Sequence, residues 1–287
     1  MNKIVENQIA KYVSDKKIKT RTILSNSFNM ICEKILLENN EAFAVKYYQN
    51  IQKGFNSIIS EKNSLTYLAN ITSLVPKIKF NSNELLIIDY IENNNIKDKN
   101  YQIILAEEIL KIHQNTNEKY GFKFDSQIGG LKQKNDFTDN WAVFFRDKRL
   151  NSIFELINND NPMASHINQK MDKLLKNLHN FIPNNPIPRL LHGDLWAGNI
   201  LYNNGKLVGL IDPGIFFGHN ELEIAYLTWF NFVNEEFIKF YSTIIPIEKD
   251  YFEYEPIYQL YYSLLNVYLW DRIYIKDTEN LLAKIKI

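Results

Sequence analysis

Leu191-His192-Gly193-Asp194-Leu195-Trp196-Ala197-Gly198-Asn199, followed by Ile211-Asp212-Pro213, is the stretch that decides how this chain is read. Residues 200–202 and 207–211 are short apolar runs separated by Asn203-Asn204-Gly205-Lys206. An Asn-Gly pair between strand-like runs is a strong local signal for a β-hairpin, because both residues tolerate the positive φ of a tight hairpin turn. Folding back on itself, the hairpin is expected to make neighbours of Asn199 at its entrance and Asp212 at its exit. Asp194 lies five positions before Asn199, close enough in a tight loop to face the same cavity. Two carboxylates and one carboxamide then share a small support. That is an oxygen ligand set for a hard cation such as Mg²⁺, with one carboxylate to spare.

Taken singly, His-Gly-Asp and Asp-Pro-Gly are turn sequences. In this order, with a hairpin separating them, they match the needs of phosphoryl transfer. There an Asp accepts the proton of the attacking hydroxyl, while an Asn and a second Asp hold metal against the phosphates. Asp194 is the candidate for the proton, and Asn199 and Asp212 are the candidates for the metal.

Composition narrows the field. The chain has 287 residues, 45% hydrophobic and 14% aromatic, enough for two modest domains or one large one and too apolar for a disordered chain. Basic and acidic residues balance at 33 each, which argues against a nucleic-acid partner. Cys32 is the single cysteine, so no intramolecular disulfide forms, a pattern that fits a reducing compartment. It lies in an alternating stretch and is expected to be a buried, inert thiol. The first nineteen residues are charged, without the apolar block of a signal peptide, and no apolar run approaches the roughly 18 residues a membrane span needs. A cytoplasmic protein is expected, with no membrane partner.

Working outward, Val5, Ile9 and Val13 recur with the spacing of a short amphipathic helix. Residues 21–37 read as strands around the turn Ser25-Asn26-Ser27-Phe28-Asn29, which contains no glycine; Asn can supply the left-handed conformation instead. In residues 41–48, Phe43, Val45 and Tyr47 share one strand face, while Ala44 and Lys46 share the other, from which a lysine can reach phosphate oxygens. Residues 55–70 and 101–115 read as helices, and His113 as a packed or capping residue. Residues 84–91 form a short apolar strand, and the polar stretch 92–100 a linker. Residues 171–181 and 222–232 are further helices, and 258–270 is a last, very aromatic one.

His-Gly-Asp-Leu-Trp-x-Gly-Asn, then Ile-Asp-Pro and Phe216-Phe217-Gly218-His219-x-Glu221, resembles the fructosamine kinase (ketosamine kinase) family. That family lies within the aminoglycoside phosphotransferase-like branch of the protein-kinase-like fold. The aromatic-rich segment 119–150, with its glycine pair, Asn140-Trp141 and Phe144-Phe145-Arg146-x-x-Arg149-Leu150, resembles the family's insert, so the likeness covers most of the chain. The resemblance implies an α+β, two-lobed fold: a small β-rich nucleotide-binding lobe over residues 1–90 and a larger, mainly helical catalytic and substrate lobe over 91–287. ATP and Mg²⁺ are the implied cofactors. The resemblance makes Lys46 the strand lysine, Glu61 its helix partner, and Asp89, Tyr90 and Ile91 a hinge for adenine. It offers Trp196, Trp141, His219 and Glu221 as substrate-side residues. Asn266 and Asp271 stand where family members have histidine and glycine. The implied reaction is phosphorylation of a sugar hydroxyl, at C3, on a small or protein-bound glycated amine, after which the adduct eliminates. Alternatives are another amine-bearing alcohol, such as choline or an aminoglycoside, and a nucleotide-binding relative without catalysis.

Overall fold

The computed structural model describes residues 3–14, 16–50 and 52–286. In chain order the elements begin with α1 (Lys3–Tyr12), β1 (Ile18–Ser27), β2 (Met30–Leu37), β3 (Ala42–Tyr48), α2 (Ser57–Leu68), β4 (Ile78–Asn81) and β5 (Leu85–Asp89). Next come α3 (Tyr101–His113), β6 (Ser126–Ile128), β7 (Leu131–Gln133), α4 (Trp141–Phe145), α5 (Asn151–Asp160) and α6 (Ser165–Asn177). They are followed by β8 (Arg189–Leu191), β9 (Ile200–Asn203), β10 (Lys206–Leu210), β11 (Phe216–Gly218), α7 (Glu221–Trp229), α8 (Glu235–Ser242), α9 (Tyr251–Leu269) and α10 (Ile275–Lys284). The fold is α+β: an N-terminal antiparallel sheet, then a mostly helical remainder.

Two compact units divide the chain. The first comprises Met1–Tyr101, Ser126–Lys132 and Gly198–Gly214; the second comprises Gln102–Asp125, Gln133–Ala197 and Ile215–Ile287.

In the first unit five strands form a sheet of order β1-β2-β3-β5-β4, with every neighbouring pair antiparallel. Alternation along β3 sends Phe43, Val45 and Tyr47 into one apolar cluster with Val5 and Ile9 of α1, and with Ile35 and Leu37 of β2. Lys46 faces the other way, in register with Cys32 on β2 and Leu86 on β5. β4 escapes the sequence reading because Ile78-Lys79-Phe80-Asn81 is only four residues long. The hairpin β9–β10 forms as expected, with Asn204 (φ 48°) and Gly205 (φ 85°) both left-handed at its tip.

The core of the second unit is aromatic. Trp141, Phe144, Phe145, Phe216 and Tyr258 are all fully buried there. The aromatic helix expected over 258–270 is α9, which starts earlier, at Tyr251, and it is not the last: α10 follows and packs against it. The helix expected over 171–181 is α6, which begins and ends earlier and tightens into a 3₁₀ turn at Leu178–Asn180. Among the described residues no helix is long and apolar enough to cross a membrane.

Candidate active site

Alternation along β3 delivers Lys46 into the first unit's interior, where it is 6% exposed. Its ammonium donates to Glu61 Oε1 at 2.6 Å and to Asp212 Oδ1. Burial alone would lower the Lys46 ammonium, but the Asp212 and Glu61 carboxylates outweigh it and hold the charge on. Glu61, 1% exposed on α2, is pushed up by the same burial, and Lys46 only partly offsets this. One buried cation thus serves two acids. Asp212 itself is half-buried with φ 57°, a left-handed conformation that Asp tolerates better than most residues. Its backbone neighbourhood is set by the hairpin: Ile211 N–H donates to the Asn199 carbonyl at 3.0 Å. Entrance and exit of the hairpin are therefore tied together, as the Asn-Gly turn predicts. Asn199 is buried and Asp212 partly open, and together they offer a carboxamide and a carboxylate oxygen. That donor pair fits Mg²⁺, which commonly takes one or two protein oxygens and completes its shell with phosphate and water.

The segment expected as the adenine hinge belongs to the same unit. Asp89 N–H donates to the Lys77 carbonyl at 3.0 Å, and Tyr90 N–H to the Ala42 carbonyl at 3.2 Å. The Asp89 carboxylate pairs with Lys79 at 2.8 Å, and Lys34 sits over the Tyr90 ring. Of the three amides only that of Ile91 has no protein acceptor among the described residues. Gly209 on β10 lets the hairpin approach this residue: a Cβ there would meet Ile91 Cδ1 at 2.7 Å. The glycine-free turn also resolves physically. Phe28 (φ 49°) and Asn29 (φ 64°) are both left-handed, and the Asn29 side chain braces the bend by accepting from Asn50 N–H at 2.9 Å and donating to the Asn50 carbonyl at 3.2 Å. Cys32, half-buried beside Lys46, has its thiol pushed up to about 12 by burial, so it stays protonated.

The remaining expected residues lie in the second unit. Asp194 is 8% exposed and its N–H donates to His192 Nδ1 at 3.4 Å; Gly193 just before it takes φ 89°, which favours glycine. What holds this loop is a residue the sequence reading passed over. Glu223, buried on α7, accepts the N–H of His192 at 3.1 Å and the N–H of Gly193. His113, at the end of α3, donates to the same carboxylate from Nε2 at 2.9 Å. Burial alone would raise Glu223, but His113 and the loop amides outweigh it and hold it below the usual carboxylate range. His113 Nδ1 meets the Tyr241 hydroxyl at 2.7 Å, and Tyr241 accepts from Asn220 at 3.1 Å. His113 is thus packed, as expected, and is also one link of a chain that ends on the backbone before Asp194.

Trp141, His219 and Glu221 are brought together, each at most 2% exposed. Trp141 Nε1–H donates to Tyr258 Oη at 2.8 Å, and Tyr258 in turn meets His219 Nδ1 at 2.8 Å. Burial pushes His219 down to about 3, so the imidazole is neutral and Tyr258 is the donor. Glu221 accepts from Glu248 N–H at 2.6 Å and from the Tyr254 hydroxyl; burial pushes it up to about 7. These three residues brace the core, with their polar atoms met by protein. Trp196, by contrast, is 37% exposed.

Fold comparison defines the class first. A crystal structure from Thermobifida fusca, described as a "putative fructosamine-3-kinase", superposes with a TM-score of 0.84 at 19% identity, covering 96% of both chains. An aminoglycoside phosphotransferase with bound ADP superposes with a TM-score of 0.63 at 17% identity, covering 99% of this chain and 98% of that one. The architecture is therefore kinase-like. The fructosamine kinase family model matches residues 1–287. A protein of Enterococcus faecium named "probable ketoamine kinase" is 30% identical over 248 residues, 85% of this chain and 87% of that protein. The chain belongs to the fructosamine kinase family and is an ATP-dependent phosphotransferase of that type.

Proposed function

We propose that the chain uses ATP to phosphorylate a sugar hydroxyl of a ketosamine, an amine or lysine side chain carrying a fructosyl or ribulosyl group, and that it serves deglycation in the cytoplasm. The observation that carries the reading is the contact of Lys46 with both Glu61 and Asp212, beside a hairpin whose base joins Asn199 to Asp212. In this account Lys46, oriented by Glu61, binds phosphate oxygens, and the Ile91 amide with its neighbours Asp89 and Tyr90 lines the adenine. Asn199 and Asp212 hold Mg²⁺, which supplies charge neutralisation at the phosphates. Asp194 takes the proton from the attacking hydroxyl, and Trp196 packs on the sugar's C–H face. Trp141, His219 and Glu221 shape the substrate side from within the core. Phosphorylation at C3 places a leaving group β to the amine-bearing C1: loss of a C1 proton gives the C1–C2 enaminol, phosphate departs from C3, and water hydrolyses the resulting imine to free the amine.

The test is a panel of acceptors in a coupled ADP-release assay: free and protein-bound fructosyl-lysine, ribulosyl-lysine, choline and an aminoglycoside. Ketosamines should be turned over and the other two left untouched. Asp194→Asn should stay folded and lose about 10²–10⁴-fold in kcat. A ketosamine turnover equal to wild type in that variant would remove Asp194 from the mechanism.

A further inference from the structure

The polar stretch 92–100, a linker by its sequence, is bonded along its length to the β9–β10 hairpin, and both belong to the first unit. Asn94 N–H and Asn95 N–H donate to the same Tyr202 carbonyl, at 3.0 and 2.9 Å. The Asn94 side chain donates to Asn204 Oδ1 at 2.8 Å and accepts from Asn204 N–H and Ile96 N–H, each at 3.1 Å. Gly205 N–H donates to the Ile96 carbonyl at 2.9 Å, and Asp98 N–H to the Gly205 carbonyl at 3.3 Å. Lys97 lies over the Tyr101 and Tyr202 rings, 4.8 and 5.7 Å from their centroids, and Tyr202 is buried. Asn95 (φ 57°) is left-handed, as is Asn204 across from it, a backbone form that asparagine tolerates and most residues avoid.

The same stretch holds the nucleotide side. Asn93 Nδ2 donates to the carbonyl of Ile91, the residue whose amide is open, at 3.1 Å. The Ile91 side chain in turn packs on the middle of the hairpin, where a Cβ on Gly209 would meet its Cδ1 at 2.7 Å and its Cγ2 at 3.3 Å. The hairpin is thus gripped at its tip by Asn94 and Asn95 and at its middle by Ile91. Its base carries Asn199 and Asp212, tied through Ile211 N–H. Tyr202 stands three residues from Asn199, roughly 10 Å along a strand. Exposed hydrogen bonds add little stability singly, but bonds converging on one hairpin fix a distance.

We propose that Asn94, with its partner Asn204, is a positioning residue for the nucleotide. It holds the Ile91 amide and the Asn199–Asp212 pair at the separation that one ATP with its Mg²⁺ spans. The inference rests on the nucleotide half of the reading above, adenine at Ile91 and Mg²⁺ at the hairpin base, and not on which acceptor is phosphorylated. Binding one end of ATP presents the other end to a subsite already in register, and the gain from joining the two ends depends on that register. Asn94 and Asn204 act through the hairpin and need not touch the nucleotide.

The test uses the full chain as wild type, Asn94→Ala, Asn204→Gly and the double variant. Asn204→Gly deletes the amide and leaves a residue that accepts positive φ. Competition against a fluorescent ATP analogue measures adenosine alone, tripolyphosphate with Mg²⁺, and ATP with Mg²⁺, while melting curves confirm the fold. Adenosine and Mg²⁺–tripolyphosphate should bind every variant within about 2-fold of wild type, whereas Mg²⁺–ATP should weaken about 10-fold in each single variant and no further in the double. A contact that served the fold alone would leave the whole nucleotide and its parts in their wild-type proportion. Mg²⁺–ATP affinity equal to wild type in Asn94→Ala, or a loss shared equally by adenosine and tripolyphosphate, overturns the proposal and spares the nucleotide reading. Wild-type tripolyphosphate binding that ignores Mg²⁺, or adenosine that fails to compete with ATP, refutes the nucleotide reading and the proposal with it.

Discussion

Replacing Glu223 with glutamine should damage both stability and rate, because one buried carboxylate serves three donors. His192 N–H at 3.1 Å and His113 Nε2 at 2.9 Å share Oε2, while Gly193 N–H takes Oε1. Glutamine keeps the shape and one oxygen. If that oxygen stays at the Oε2 position, two charge-assisted bonds become neutral ones, a loss of about 1 kcal/mol each. The amide NH₂ then opposes the Gly193 N–H, leaving buried donors unmet at about 1–3 kcal/mol. The sum is about 3–5 kcal/mol, or a melting-point drop of about 5–8 °C for a chain of this size. Gly193 directly precedes Asp194, so a loosened amide shifts the proposed proton acceptor, and kcat should fall about 10–100-fold. The KM for ATP should stay put, since Lys46, Asn199 and Asp212 belong to the other unit. The sign with pH follows as well. A carboxyl held below its ordinary range stabilises the fold above that range and loses its contribution as pH falls through the folded value, so Glu223→Gln should lack part of the wild type's acid limb. Differential scanning fluorimetry and steady-state ADP release read all three. A variant with wild-type melting temperature and kcat would refute the anchoring role.

Glu221, raised from 4.5 to about 7, keeps a proton that the unfolded chain releases, so its contribution to stability falls as pH rises across that window, by about 3 kcal/mol. Glu221→Gln should therefore gain on wild type by about that amount between pH 4.5 and 8 in urea unfolding; parallel curves would contradict it. Gly205→Ala puts a side chain at φ 85°, while its Cβ meets Asp98 at an ordinary 3.5 Å, so the cost is conformational alone, about 1–2 kcal/mol. A variant as stable as wild type would show that the hairpin turn is not held as described.

The parts legible in the sequence are those fixed by local chemistry. Asn204-Gly205 specifies its turn through φ alone, and with the turn comes the proximity of Asn199 and Asp212. Strand alternation places Lys46 opposite Phe43, Val45 and Tyr47, and the family resemblance supplies Glu61 as its partner. Illegible were contacts that depend on packing between distant elements. His113 and Glu223 are 110 positions apart, and nothing in Lys111-Ile112-His113 or Leu222-Glu223-Ile224 marks them as partners. The only available signal was the presence of two acids, Glu221 and Glu223, on a helix otherwise mostly apolar, where burial would demand a partner. His219, Glu221 and Trp141 stand out in the sequence for the family motif they carry, yet their neighbours Tyr258 and Tyr254 come from α9 and absorb their polar atoms. Phe28 hides for the opposite reason: a bulky residue at positive φ is a poor prior for a turn, and the bend persists because Asn29 and Asn50 hold it.

The central claim is that the hairpin base supplies the oxygens for a divalent ion that joins nucleotide to protein. Titration calorimetry of a non-hydrolysable ATP analogue, with and without Mg²⁺, tests it most directly in wild type, Asp212→Asn and Asn199→Ala. The second variant leaves the Lys46 ion pair with Asp212 intact. Mg²⁺ should tighten wild-type binding at least about 10-fold, roughly 1.4 kcal/mol, and that gain should vanish in both variants. An equal Mg²⁺ effect in all three proteins would contradict the account.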